Sequence, residues 1–273
     1  LSSSSAASDV YKRQEYVLIQ ITDTHLLEQP EHEFVGMNPE QSFHEVMAHI
    51  QQHYPQADAI IHTGDLAQAP RPKTYQRYLH FMQQLGIPFF HTPGNHDDEK
   101  YFPFHQENPQ QPVLIELGNW RIILLNTAVS NRVDGLVSTS QLEQLTDLLE
   151  QHQAHPTILA CHHHPFEMHS KWIDQHKLKN SQAVFNLLER FKQVKAILYG
   201  HVHQNSSNFW QHIECLSTPS TSVQFKPCSE QFALDAVAPG YRVLKLKTNG
   251  TFETVVQRLE HINHLINTEI SGY

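Results

Sequence analysis

The sequence predicts an α/β fold in which parallel strands alternate with helices, with a second sheet packed against the first. Three observations lead there. Apolar runs at Tyr16 to Ile21, Ala57 to Ile61 and Ile87 to Phe90 are separated by amphipathic segments in units of about 30 residues, the spacing of right-handed βαβ crossovers. The first of these runs is near-continuous and rich in β-branched residues, as strands buried on both faces are. From Asn208 onward the pattern changes to short strands bounded by turn residues.

Tyr16 to Ile21 is the first strand and delivers Asp23 and His25; Leu26 to Met37, with Pro30 and Gly36, reads as a loop over the mouth of a crevice. Asn38-Pro39 has the form of an N-cap with proline at the first helical position, and Gln41 stands where a capping-box side chain would. Phe43, Val46, Met47 and Ile50 then lay one apolar stripe against the sheet. After the second strand, Tyr75, Tyr78, Leu79 and Met82 mark a helix closing near Gly86. Val113 to Leu117 and Arg121 to Leu125 flank Gly118-Asn119 as a hairpin. Ser140 with Glu143 opens a helix carrying Leu142, Leu145, Leu148 and Leu149.

Thr157 to Cys161 is a further strand, followed by a loop over Phe166 to Lys179. A helix with Val184, Phe185, Leu188 and Phe191 and a strand at Ala196 to Tyr199 come next. Ile213 to Leu216, Ser222 to Phe225, Gln231 to Asp235 and a hairpin of Tyr241 to Lys247 with Thr251 to Leu259 are the expected second sheet. Residues 1–15, rich in Ser and Ala and without an initiator Met, are read as a disordered tail or sequence artefact. Residues 16–273 form one domain, with no linker at which to divide them.

Composition narrows the function. A formal charge of -9, from 19 basic and 28 acidic residues, argues against a nucleic-acid polymer as partner. A small phosphorylated substrate stays compatible if cations neutralise it. Cys161, Cys215 and Cys228 show no C-x-x-C spacing and leave one unpaired in any disulfide scheme, which points to a reducing, cytoplasmic setting. No apolar run approaches the ~20 residues that span a bilayer, so no membrane association is expected. A homodimer is compatible with the sequence.

Chemistry-bearing residues cluster just after the strand-like runs: Asp23-Thr24-His25, Gly64-Asp65, Gly94-Asn95-His96-Asp97, His162 and Gly200-His201-Val202-His203. In parallel sheets ligands bind beyond the carboxyl ends of strands. A mixed His, Asp and Asn set suits Mn, Fe or Zn better than an all-oxygen Mg or Ca site. Asp23, His25, Asp65, Asn95, His162, His201 and His203 supply seven ligands for two cations sharing Asp65. Within D-x-H and H-x-H, extended backbone would aim residues i and i+2 the same way. Two cations ~3.5–4 Å apart bind phosphoryl oxygens and turn a bridging water into hydroxide that attacks phosphorus in line. His96 is placed to protonate the leaving oxygen and Asp97 to orient it, so these two form the catalytic pair. His62 and His91, ahead of the motif loops, are hydrogen-bond supports or core residues. His163 and His164 stand where they could touch ligands or substrate.

These motifs, in this order from Asp23 to His203, resemble the calcineurin-like metallophosphoesterases. Gln20-Ile21-Thr22-Asp23-Thr24-His25-Leu26, His162-His163-His164-Pro165, Trp172-Ile173-Asp174-Gln175-His176 and Thr218 to Pro227 resemble the bacterial class III 3′,5′-cyclic AMP phosphodiesterases. The likeness continues through Ala238-Pro239-Gly240-Tyr241 to Ser271-Gly272-Tyr273. It implies a four-layer αββα sandwich, two mixed sheets flanked by helices, and hydrolysis of cyclic AMP to 5′-AMP. By motif position, Asp23, His25, Asp65 and His203 would hold a first metal, typically iron. Asp65, Asn95, His162 and His201 would hold a second, often manganese or another divalent ion. His25, Asn95, His96 and His203 would face the substrate, and His96 would assist departure of the ribose 3′ oxygen. The strand-end residue His162 is favoured over His163 as ligand. Thr218 to Pro227 is expected as a substrate-proximal loop or a turn between strands, with Lys226 reaching a phosphate or facing solvent. Another small phosphodiester as substrate, or a non-catalytic scaffold of the same fold, are the competing functions.

Overall fold

The computed structural model describes residues 14–103, 108–260 and 272. Residues 1–13 of the expected tail, and the terminal Ser271 and Tyr273, lie outside the described residues. Strand β1 (Glu15–Ile21) takes in Glu15, which the sequence reading had assigned to the tail. It pairs in parallel with β2 (Ala59–Thr63), and β2 in parallel with β3 (Phe89–Thr92). Helices α1 (Pro39–His53) and α2 (Pro72–Gln84) make the crossovers.

The predicted start of α1 is borne out in part. Asn38 accepts a hydrogen bond from the Gln41 amide at 2.8 Å, and Pro39 opens the helix. The Gln41 side chain donates to Glu45 instead of returning to the cap. The whole expected stripe, Phe43, Val46, Met47 and Ile50, is buried.

The second sheet starts much earlier in the chain than the change of pattern at Asn208 suggested. It contains β4 (Val113–Leu117), β5 (Trp120–Leu124), β6 (Thr157–Ala160), β7 (Val194–Tyr199), β8 (Ser206–Trp210) and β9 (Ile213–Ser217), in the order β4-β5-β6-β7-β9-β8. Conversely, the C-terminal hairpin of β12 (Gly240–Lys247) and β13 (Phe252–Arg258) returns to the first sheet, where β12 runs antiparallel beside β1. Apolar periodicity reports which faces are buried; it carries no information about which strand is the neighbour, and that is where the sequence reading erred. The edge strand β8 was not foreseen: its run of Ser, Ser and Asn is weak in β-propensity, and one face is exposed.

Each sheet is covered by helices on its outer face. Ile19, Ile21 and Ile60 pack outward against Phe43, Val46, Tyr78 and Met82, whereas Leu18 and Ile61 point inward to Ile122, Leu124, Ile158 and Leu198 of the second sheet. Helices α3 (Thr139–Gln151) and α5 (Ser181–Leu188) close the far side through Leu145, Leu149, Val184 and Leu188. The result is the four-layer αββα arrangement. Helix α3 is capped by Ser138, which accepts from the Gln141 amide, so it begins two residues before the expected Ser140. A single turn, α4 (Lys171–Asp174), interrupts the segment expected as loop. The remaining ribbon, β10 (Gln224–Phe225) with β11 (Leu234–Asp235), is shorter than the strands expected there.

Candidate metal centre

Loops leaving β1, β2, β3, β6 and β7 converge at the seam between the sheets, where six of the expected ligands cluster and Asn95 stands beside His162. Asp23, His25, Asp65, His162, His201 and His203 are buried, while Asn95 and His96 stay half-exposed at the mouth. His203 Nε2 lies 3.2 Å from Asp23 Oδ1 and 3.1 Å from His25 Nε2. Asp65 Oδ2 lies between the two halves of the set, 3.2 Å from His162 Nε2 and 3.9 Å from His25 Nε2. His162 Nε2 is also 3.2 Å from Asn95 Oδ1.

The backbone achieves this convergence differently from the extended alternation expected of D-x-H and H-x-H. Asp23, His25, Asp65, His201 and His203 all have left-handed φ, at 54°, 50°, 53°, 68° and 48°. Such conformations cost non-glycine residues of order 1–3 kcal/mol and persist where surrounding structure enforces them. The enforcement is visible. Asp23 N and His25 N donate to Gly64 O and Asp65 O, joining the first two loops, and His201 N donates to Asp23 Oδ2 at 3.0 Å. Gly64, at φ 94°, lies beneath the His162 ring, and a Cβ on Gly94 would collide with the Asp65 carboxylate and amide.

The donor atoms fit divalent cations. His25, His162 and His203 each direct Nδ1 to an oxygen acceptor at 2.7 Å, namely Gln68 Oε1, Thr63 O and Val223 O. That assignment puts the proton on Nδ1 and turns the Nε2 lone pairs inward. His25 and His203 then oppose two lone pairs at 3.1 Å, an arrangement that calls for a cation. His201 Nε2, buried and without a hydrogen-bond partner among the described residues, is a further donor awaiting one.

Electrostatics point the same way. Burial holds His25 down to about 3 and His201 well below its usual value, so both rings are neutral. Burial would raise Asp65, but the facing His162 ring, by charge and hydrogen bond, holds it well below the carboxylate range. His162 is held up to about 9: burial opposes its charge, yet Asp65 and Asp23 outweigh that cost. A cation between them would take over that balance of Asp65 and leave the His162 Nε2 lone pair free to bind it.

His163 is distinct from its neighbour. Its ring packs against His162 and His201, but its Nδ1 faces Thr127 Oγ1 at 2.7 Å and its Nε2 faces Val133 O at 3.1 Å, so both ring nitrogens have partners outside the expected ligand set. His62 is a support: its Nδ1 accepts from Gly64 N and its Nε2 faces Thr24 Oγ1, tying the first two motif loops together. His91 meets Tyr78 OH at 2.6 Å.

Asp97 departs from its expected part. Its carboxylate accepts from Leu66 N, Ala67 N, Gly94 N and Tyr75 OH, and none of these bonds comes from His96. It clamps the β2 and β3 loops together rather than orienting the His96 ring. Burial, with nearby Asp65, raises it to about 7.

The Thr218 to Pro227 stretch links β9 to β10 beside the centre, the second of the two roles expected for it. Thr218 to Ser222 are fully buried, Ser220 Oγ donates to Asp23 O at 2.7 Å, and Thr221 N donates to Thr22 O. The segment braces the metal loops, and Lys226 faces solvent. Sequence reasoning missed Phe34, stacked on His25 at 5.5 Å, and Phe225, stacked on His203 at 3.8 Å. Gln68 carried no motif signal, whereas Phe225 lies inside a stretch already marked by resemblance.

Residues 16–205 match the family described as calcineurin-like phosphoesterase. The chain belongs to that family. The phosphoesterase is 38% identical over 270 residues to the 3′,5′-cyclic adenosine monophosphate phosphodiesterase CpdA of Vibrio vulnificus, covering 98% of each chain. It is 36% identical over 259 residues to the enzyme of the same name from Haemophilus influenzae, covering 94% of each. The crystal structure of a dimetal phosphatase from Danio rerio shares the fold at a TM-score of 0.61 with 12% identity, covering 90% of this chain and 99% of that one. Among the described residues no helix is long and apolar enough to cross a membrane.

Proposed function

We propose that this phosphoesterase hydrolyses 3′,5′-cyclic AMP to 5′-AMP. The chemistry is carried by one observation: three buried imidazoles turned Nε2-inward around two carboxylates, with Asp65 Oδ2 between the two halves of the set. Cyclic AMP as substrate is supported by relatives of that name along nearly the whole chain.

Asp23, His25, Asp65 and His203 would hold a first divalent cation, and Asp65, Asn95, His162 and His201 a second, with iron and manganese our assignment. Bound there, the pair supplies Lewis-acid polarisation of the phosphoryl oxygens and activation of the attacking water. The chain's own residues do the rest. Asn95 adds an oxygen without adding charge, which leaves the centre positive toward a phosphate. Half-exposed His96 is held by its amide on Asp65 Oδ1 at 2.8 Å, with its ring edge-on to His25 at 5.2 Å. From there it gives a proton to the 3′ oxygen as the P–O3′ bond breaks and the water oxygen stays on phosphorus. We place the enzyme in the cytoplasm, since Cys161, Cys215 and Cys228 are free thiols.

The test loads purified protein with Mn or Fe and follows cyclic AMP, cyclic GMP and a generic bis-ester. Cyclic AMP left intact while other esters are cleaved would sink the substrate. His96→Ala should keep both metals, read by elemental analysis, and lose about 10²–10⁴-fold in turnover on cyclic AMP. Loss of metal instead would make His96 a ligand.

A further inference from the structure

A cavity of about 600 Å³ adjoins the metal centre, and the residues assigned so far leave it without a task. Its size falls in the roughly 300–1,000 Å³ range of small-molecule sites. Gly94 and Asn95 form part of its wall, so it opens beside one residue assigned to the second cation, Asn95. Phe102, Val113, Leu124 and Val129 make an apolar interior, and Asp98, Glu99, Lys100 and Ser130 stand around it. Three carboxylates, Asp97, Asp98 and Glu99, against the one ammonium of Lys100 make this surround unwelcoming to a second phosphate and suited to a neutral group.

In a 3′,5′-cyclic nucleotide the ribose is fused to the phosphate, so the base must lie within one sugar's reach of the cations. Two flanks of the centre are already filled. Phe34 covers His25, and Phe225, buried, lies flat on His203. The cavity beside Asn95 provides the space those flanks lack.

We propose that this cavity holds the nucleoside of the substrate, with the flat base against the half-buried Val113 and Val129 and the anionic phosphate at the cations. This rests on the cyclic-nucleotide reading. Val129, half-buried, and Ser130, exposed, are then specificity residues.

Val129→Trp fills the interior, and Ser130→Trp narrows the entrance from an exposed position where a misfolding cost is small. Two measurements are made on the metal-loaded full chain. Each variant should lose at least tenfold more kcat/KM on cyclic AMP than on methyl p-nitrophenyl phosphate, a diester with no nucleoside. Calorimetric titration with adenosine should show binding to the parent protein that weakens at least tenfold in Val129→Trp. Equal losses on both substrates, unchanged cyclic AMP kinetics, or no adenosine binding by the parent protein would each overturn the assignment. If the parent protein cleaves the methyl ester but not cyclic AMP, the function reading fails. The adenosine titration then decides the cavity on its own.

Discussion

Loops leaving the five-stranded sheet carry both carboxylates and the amide of the cluster, Asp23, Asp65 and Asn95, together with His25. Loops leaving the six-stranded sheet carry only imidazoles, His162, His201 and His203. One sheet therefore supplies the negative charge and the other most of the neutral nitrogen donors. Buried carboxylates this close together are costly unless compensated, and the compensation comes across the seam: His203 faces Asp23 and His162 faces Asp65. The centre is a property of the packed pair, held by the apolar layer of Leu18, Ile61, Ile122, Leu124 and Leu198 between the sheets.

That contrast can be broken most severely at Asp65, whose Oδ2 stands between the two halves. Asp65→Asn keeps the shape and removes the charge. It should lower metal content on both sides of the seam and reduce kcat/KM by at least about 10³-fold, beyond the 10–100-fold loss typical of a supporting partner. Full metal content by elemental analysis would show that the carboxylate does not link the two halves.

A smaller effect separates adjacent residues of the histidine-rich side. His162→Ala should lose about one metal equivalent per chain, whereas His163→Gln should keep both and fall about 10–100-fold in activity if, as proposed, it supports rather than ligates. The reverse pattern of metal content would exchange the two roles.

The smallest expected effect lies in the brace that the C-terminal part adds to the carboxylate-rich side. Ser220→Ala leaves the buried carbonyl of Asp23 without the Ser220 Oγ donor and should cost about 1–3 kcal/mol of stability. A shift in denaturation midpoint at constant m would show this. Retained metals with turnover within a few-fold of the parent are expected, and a large loss of metal would promote Ser220 to part of the centre.

Much of the centre was legible because its parts are local. D-x-H, G-D, G-N-H-D and G-H-x-H each occupy a few consecutive residues after a strand-like run, and every residue expected from them as a ligand stands at the cluster. The stripe of α1 was equally local: Phe43, Val46, Met47 and Ile50 sit one helical turn apart and share one buried face. What failed depended on partners far along the chain. The assignment of Asp97 to His96 followed adjacency, while its real partners are Gly94, Leu66, Ala67 and Tyr75, most of them 22 to 31 residues distant.

The sequence by itself determined the donor types, their order, the helices that space them and hence the class of chemistry. Only the tertiary structure decided the rest. Pairing of β1 with β12, more than two hundred residues apart, sent the C-terminal hairpin to the first sheet, because strand periodicity marks buried faces and not neighbours. Hydrogen bonds spanning the fold, Thr63 O to His162 and Thr127 to His163, chose which imidazole turns its lone pair inward. Left-handed backbone at Asp23, His25, Asp65, His201 and His203, held by contacts between loops, aimed them at one point. A linear pattern names the atoms that can bind, and only packing fixes where their lone pairs meet.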